Sequence, residues 1–84
     1  MQLTRQQILE KLKDVLTFVD ASKADIIKTA DEQTKLSEDL GLTSVGMLFT
    51  VISIEESFGI VFGDIGMDDL QTVGDVIDYV SEKL

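Results

Sequence analysis

Ser44 is the residue of this chain best placed to take part in chemistry. It follows an acidic, turn-forming stretch and begins an uncharged segment of helical character. The chain has no His and no Cys, so Ser–His–Asp chemistry is impossible within it and no thiol is present. A Ser–Lys catalytic pair is also disfavoured, because Lys83 in the last predicted helix is the only basic residue after residue 35. We therefore predict that the chain is not an enzyme, has no catalytic residue of its own and is modified by another enzyme at Ser44.

Carboxylates offer neither a catalytic pair nor a metal site. The pairs Glu55–Glu56 and Asp68–Asp69 are neighbours in sequence, and adjacent side chains diverge by about 100° on a helix. The stretch that most resembles a calcium-binding loop, residues 64–75, has Gly where a ligand is needed and Asp where the sharp turn needs Gly. The sequence therefore predicts no metal.

Charge excludes several classes of partner. The 84 residues carry a net charge of −9, and ten of the 16 acidic residues but only one basic residue follow residue 35. Such a surface repels nucleic acid and anionic membranes, and it steers a protein toward basic patches on other proteins. An acidic surface that only keeps the protein soluble is the alternative.

The longest uncharged run, residues 40–54, is shorter than the roughly 20 residues that span a bilayer. The length predicts a single domain over residues 1–84. With no Cys and no signal-peptide pattern, we expect the protein to be cytoplasmic. We also expect it to be a monomer.

Helical periodicity predicts an all-α, up-and-down bundle of three main helices plus a short one. The main helices span about residues 4–19, 44–58 and 73–84, and the first and last begin with capping-box spacings at Thr4 and Thr72. The short helical turn is expected near residues 67–70. Residues 20–43 show no strong period, so this long loop is either functional or contains a short element. Apolar residues that could anchor it across the bundle are Ile26, Ile27, Leu36, Leu40 and Leu42.

The middle helix is apolar over more than half of its circumference. The predicted core face is Met47, Val51, Ile54 and Phe58. A narrow stripe of small residues lies roughly opposite the Leu48 side, at Gly46, Thr50, Ser53 and Ser57. A second apolar arc has no evident role in the core of so small a domain, so we predict that it binds partner proteins. Burial of Phe49 under the 20–43 loop is the alternative. The predicted recognition residues are Val45, Leu48, Phe49, Ile52, Glu55 and Glu56.

Three blocks of sequence resemble the acyl carrier protein family. Residues 36–45 (LSEDLGLTSV) look like its phosphopantetheine-attachment motif, residues 54–60 (IEESFGI) like the end of its second helix, and residues 70–80 (LQTVGDVIDYV) like its final helix. The resemblance implies an acyl-carrier-like four-helix bundle. It also implies that a phosphopantetheinyl transferase attaches 4′-phosphopantetheine from coenzyme A to Ser44. The arm would carry acyl groups as thioesters to acyl-loading and acyl-transferring enzymes of fatty-acid, lipid or polyketide-type synthesis.

Departures from the family pattern favour a specialised member over a housekeeping one. Thr43 stands where the family usually has Asp, which affects the choice of transferase or its efficiency. Gly46, Met47 and Phe49 occupy positions that are often polar or acidic. Gly46 is also seen in D-alanyl carriers, so an aminoacyl or peptidyl carrier stays open. Two hypotheses of a different kind stay open as well: an interaction domain that never receives the arm, and an acidic mimic of nucleic acid. Ser44 itself could be only a helix N-cap, unless Thr43 takes that role.

Overall fold

The computed structural model describes residues 3–62 and 69–84. These residues form four α-helices, one 3-10 turn and no strand, which confirms the predicted all-α bundle. The turn spans Ala21–Lys23 and leads directly into α2. The helices are α1 (Arg5–Val19), α2 (Ala24–Lys28), α3 (Ser44–Phe58) and α4 (Val73–Lys83).

Local capping fixes where the long helices begin and end. At α1, the Gln7 N–H donates to Thr4 Oγ1 at 3.1 Å and the Thr4 N–H donates to Gln7 Oε1 at 2.8 Å. Thr72 and Asp75 make the same reciprocal pair at α4, as the spacing predicts. Each box satisfies N–H groups that a helix cannot pair internally. Gly59 ends α3 in the left-handed region, with φ of 68°, where a residue without Cβ is favoured.

The core lies between α1, α3 and α4 and is entirely aliphatic apart from Met47 and one threonine. The most deeply buried side chains come from all three long helices and from the loop before α3. Burial of this kind contributes about 1.5–3 kcal/mol for each large apolar side chain. The largest fully buried side chains are Ile8, Leu12, Leu40, Ile54, Ile77, Val73, Val80 and Thr50.

Thr50 is a correction to the predicted helix faces. It was assigned to the stripe of small residues outside the core face, yet only 2% of it is exposed. Its hydroxyl donates to the Gly46 carbonyl oxygen at 2.8 Å. Because the helix itself satisfies the hydroxyl, Thr50 can be buried among apolar side chains at little cost. The expected core residues Val51 and Phe58 are only partly buried and pack against its edge.

The segment between α1 and α3 contains a short element, which is one of the two alternatives predicted for it, and this element is α2. The short turn expected near residues 67–70 lies mostly outside the described residues. Ile27, Leu36 and Leu40 are buried as predicted, but Ile26 is 44% exposed and is not an anchor. A five-residue helix gives too short a pattern for its buried face to be read from sequence.

Main-chain hydrogen bonds fasten this segment to the start of α4. The Leu36 N–H donates to the Gln71 carbonyl oxygen at 2.9 Å, and the Val73 N–H donates to the Thr34 carbonyl oxygen at 2.9 Å. The Gly74 N–H donates to the Glu32 carbonyl oxygen at 2.7 Å. Carbonyl groups of residues 32–34 thus satisfy two N–H groups of the first turn of α4. We refer to residues 32–36 together with residues 71–74 as the backbone clamp.

Arg5 adds a charged contact at the same end of the bundle. Its guanidinium pairs with the Glu32 carboxylate and, at 2.7 Å, with Asp78 Oδ1. The hydrogen bonds to Glu32 and then to Asp78 raise the pKa of Arg5 above its already high ordinary value. All three side chains are well exposed, so this network orients α1, the clamp and α4 more than it stabilises them.

None of the described helices is long and apolar enough to cross a lipid bilayer. Within residues 3–62 and 69–84, no group of three or more acidic, His or Cys side chains is arranged to hold a metal ion. Residues 64–75, the stretch compared above with a calcium-binding loop, lie partly outside these ranges. The absence of a metal site therefore stays a prediction.

Candidate functional site

Ser44 is the first residue of α3, and its side chain is exposed. The residue before it caps the helix: Thr43 Oγ1 accepts a hydrogen bond from the Gly46 N–H at 3.2 Å. The Thr43 carbonyl oxygen then accepts the first intrahelical bond, from the Met47 N–H at 2.8 Å. Of the two possible caps, the structure has Thr43. The Ser44 hydroxyl is therefore not needed to start the helix.

The loop before Ser44 is held by its own backbone. The Leu40 N–H donates to the Lys35 carbonyl oxygen at 3.1 Å, and the Leu42 N–H donates to the Leu36 carbonyl oxygen at 3.0 Å. Gly41 between them has a φ of 67°, which favours a residue without Cβ. Leu40 is buried in the core. Ser44 is thus presented from a tightly turned loop that is pinned on both sides.

Gly46 allows the loop to pack against the first turn of α3. A Cβ built on Gly46 would lie 3.3 Å from Leu42 Cδ2 and 3.6 Å from Thr43 Oγ1. The missing side chain leaves room for Leu42, which is half-buried beside Ser44. Gly46 was the departure from the family pattern that left a D-alanyl carrier open, and it therefore also has a local packing reason.

A groove of about 430 Å³ opens beside Ser44. Sequence reasoning did not find it, because its walls come from three separate parts of the chain: residues 35–38, the start of α3 and residues 70–72. Its lining is partly apolar and partly polar, as in grooves that bind small molecules. The apolar side chains are Leu36, Leu42, Met47 and Leu70.

The predicted recognition residues lie on α3, and most of them face outward. Phe49 is 56% exposed, so the loop between α1 and α3 does not cover it. Glu55 differs from the others: it is half-buried, and its Oε2 accepts a hydrogen bond from the Phe62 N–H at 2.8 Å. Part of the Glu55 carboxylate therefore fixes the turn after α3. The outward-facing residues are Val45, Leu48, Phe49, Ile52 and Glu56.

Three curated relatives show the family to which this arrangement belongs. The chain is 31% identical to an acyl carrier protein of Thermotoga maritima over an alignment 84 residues long, which covers 96% of each chain. It is 34% identical to an acyl carrier protein of Acidothermus cellulolyticus, covering 96% of this chain and 93% of that one. A mitochondrial acyl carrier protein of Saccharomyces cerevisiae is 31% identical, with 96% of this chain and 66% of that protein covered.

The chain belongs to the acyl carrier protein family. No protein-family model matches it. Members of the family are carriers and not enzymes, so this chain has a carrier role in acyl handling. The absence of any His or Cys agrees with that role, since a carrier needs no general base and no thiol of its own.

Proposed function

We propose that this carrier holds acyl groups as thioesters on a 4′-phosphopantetheine arm attached to Ser44 Oγ. The observation that carries the proposal is the division of roles at the start of α3. Thr43 caps the helix, and the exposed Ser44 hydroxyl one residue later has no structural duty. A chain without Cys must borrow any thiol that it uses, and the arm supplies one.

Attachment is a phosphoryl transfer performed by a phosphopantetheinyl transferase. The Ser44 oxygen attacks the phosphorus of coenzyme A that bears the pantetheine, and the pyrophosphate bond breaks. Adenosine 3′,5′-bisphosphate leaves, and the serine proton passes to a base of the transferase. The product is a phosphodiester at a helix N-terminus, where unpaired N–H groups and the helix dipole favour negative charge.

The groove beside Ser44 and the outer face of α3 have different roles in this proposal. The groove has room for part of the arm, while the exposed apolar residues of α3 offer a docking face for the transferase and for acyl-loading and acyl-transferring enzymes. An exposed aromatic in the middle of that face favours partners with an apolar pocket bordered by basic residues. These partners belong to fatty-acid, lipid or polyketide-type synthesis.

The test is the intact mass of the purified chain after incubation with coenzyme A, magnesium and a promiscuous phosphopantetheinyl transferase. We expect a gain of one phosphopantetheine group in the wild type and none in Ser44→Ala. Ser37→Ala is the matched control, because Ser37 is also exposed and lines the same groove. Its mass gain should equal that of the wild type. A wild-type chain that gains no mass is instead an unmodified interaction domain, and a gain in Ser44→Ala would move the attachment site elsewhere.

A further inference from the structure

A second groove, of about 380 Å³, lies between α1 and α3 and shares no lining residue with the groove beside Ser44. Phe18 stands at this groove and is 84% exposed, more than any other large apolar side chain of the described residues. We propose that the groove is a second docking site, which binds an apolar side chain bordered by Lys or Arg on a partner protein.

The walls of the groove form a continuous surface from both helices. Asp14, Val15 and Phe18 belong to one stripe of α1, since residues three and four apart share a helix face. Ser53, Glu56 and Ser57 form the opposite wall on α3. The serine side chains are small and leave space on the α3 side, so the Phe18 ring borders an open part of the groove. An apolar side chain of a partner can therefore contact the ring.

Charge decides what kind of side chain the groove accepts. Lys11 is the cation at the groove, and its ammonium group is held by other contacts. Its Nζ donates to the Ser57 carbonyl oxygen at 3.2 Å and lies 4.7 Å from the centre of the Phe58 ring. Phe18 is seven residues further along α1, which is about 10 Å of helix. The carboxylates of Asp14 and Glu56 take part in no ion pair or hydrogen bond within the described parts of the chain. Two available carboxylates beside an exposed ring match an apolar side chain flanked by cations.

The occupant is a partner protein, and a second copy of the chain fits poorly. Each copy would bring its own Asp14 and Glu56, and two chains with a net charge of −9 repel each other. Glu56 also borders the outer face of α3, so the groove continues the proposed recognition face around toward α1. A partner that docks on α3 is therefore adjacent to this groove. The proposal rests on the proposed function only for this identity of the partner.

The test uses a short helical peptide with one phenylalanine flanked by arginines, titrated into the isotope-labelled full chain. We expect amide shift changes centred on Asp14, Phe18, Ser53 and Glu56. Phe18→Ser should weaken binding at least about fivefold, because it removes the aromatic anchor. Ile26→Ser is the matched control, since Ile26 is also exposed but lies on α2, outside the groove. Its affinity should equal that of the wild type.

Further arms separate the possible outcomes. Asp14→Asn should weaken binding of the arginine peptide, and a counterpart peptide with glutamates in place of the arginines should not bind. Ser44→Ala should bind like the wild type, so failed attachment at Ser44 and a failed groove are distinguishable. Equal affinity for Phe18→Ser and the wild type, or shift changes confined to Val45 and Leu48, would overturn the proposal. So would a Phe18-dependent dimer in sedimentation, which would make a second copy the occupant.

Discussion

The hydroxyl of Thr43, and not that of Ser44, accepts the hydrogen bond from Gly46 that begins α3. Two adjacent hydroxyl residues therefore have different duties. One satisfies a main-chain N–H that would otherwise lack a partner, and the other stays exposed at the first helical position. Mutations at the two positions should therefore have different effects, on stability at Thr43 and on the exposed hydroxyl at Ser44.

Removal of the cap should lower stability without touching the exposed hydroxyl. We expect Thr43→Ala to reduce the free energy of unfolding by about 1 kcal/mol, as loss of an N-cap does. Thr43→Ser should retain most of that stability, because its hydroxyl can accept the same bond. Urea unfolding of both variants measures the difference. If Ser44→Ala were the more destabilising substitution, Ser44 would be the cap in solution.

Thr43→Asp should leave the fold intact and speed loading of Ser44 by a transferase of the fatty-acid type. Asp is a good N-cap and suits the positive end of the helix dipole, so stability should be preserved. It also restores the family's usual carboxylate, beside which the transferase can hold magnesium. The measurement is the initial rate of mass gain at saturating coenzyme A and magnesium. An unchanged or slower rate would show that Thr43 suits a different transferase.

Phe49→Ala should separate recognition from stability. Because Phe49 is exposed, the free energy of unfolding should fall by less than about 1 kcal/mol. Binding to a partner enzyme should weaken by about 2 kcal/mol or more, a loss of roughly 30-fold. The buried control is Ile54→Ala on the opposite face of α3, which should cost about 2–5 kcal/mol of stability. A denaturant melt in which Phe49→Ala resembles Ile54→Ala would contradict the exposed position.

Two glycines in the first turns of helices should respond oppositely to Ala. A Cβ on Gly74 would lie 2.8 Å from the Glu32 carbonyl oxygen, a main-chain atom, so Gly74→Ala should destabilise the fold by about 1–3 kcal/mol. A Cβ on Gly46 would meet the flexible Leu42 side chain at 3.3 Å. Leu42 can yield, and Ala favours a helix over Gly by about 1 kcal/mol. Gly46→Ala should therefore match or exceed wild-type stability in thermal unfolding, and a loss like that of Gly74→Ala would show that Leu42 cannot move.

The features that sequence predicted well are local ones. Both capping boxes join residues three apart, and the stripes of α1 and α4 repeat over several turns, so neither needs knowledge of the rest of the fold. The exposure of the second apolar arc of α3 was predictable for the same reason, because a small core does not need that side of the helix, while its role in recognition stays a prediction. Glu55 was assigned to that face although its carboxylate accepts a bond from Phe62, seven residues away.

The features that sequence missed depend on contacts between distant segments. The groove beside Ser44 needs residues 35–38 and 70–72 to meet, and no periodicity reports that. Thr50 was assigned to the stripe of small residues and not to the core face, whereas its hydroxyl is satisfied within its own helix and the residue is buried. Phe18 carried a signal that could have been used: it is a large aromatic that stands off the apolar stripe of α1.

The backbone clamp bears on how freely this chain can diverge in sequence. Its hydrogen bonds join main-chain atoms, so changes of side chain at Glu32 or Gln71 leave the donors and acceptors in place. The steric demand falls on Gly74, where a side chain would press on the opposing backbone. The absence of a side chain at residue 74 therefore limits which sequences this part of the fold accepts more than the identity of the polar side chains around it does.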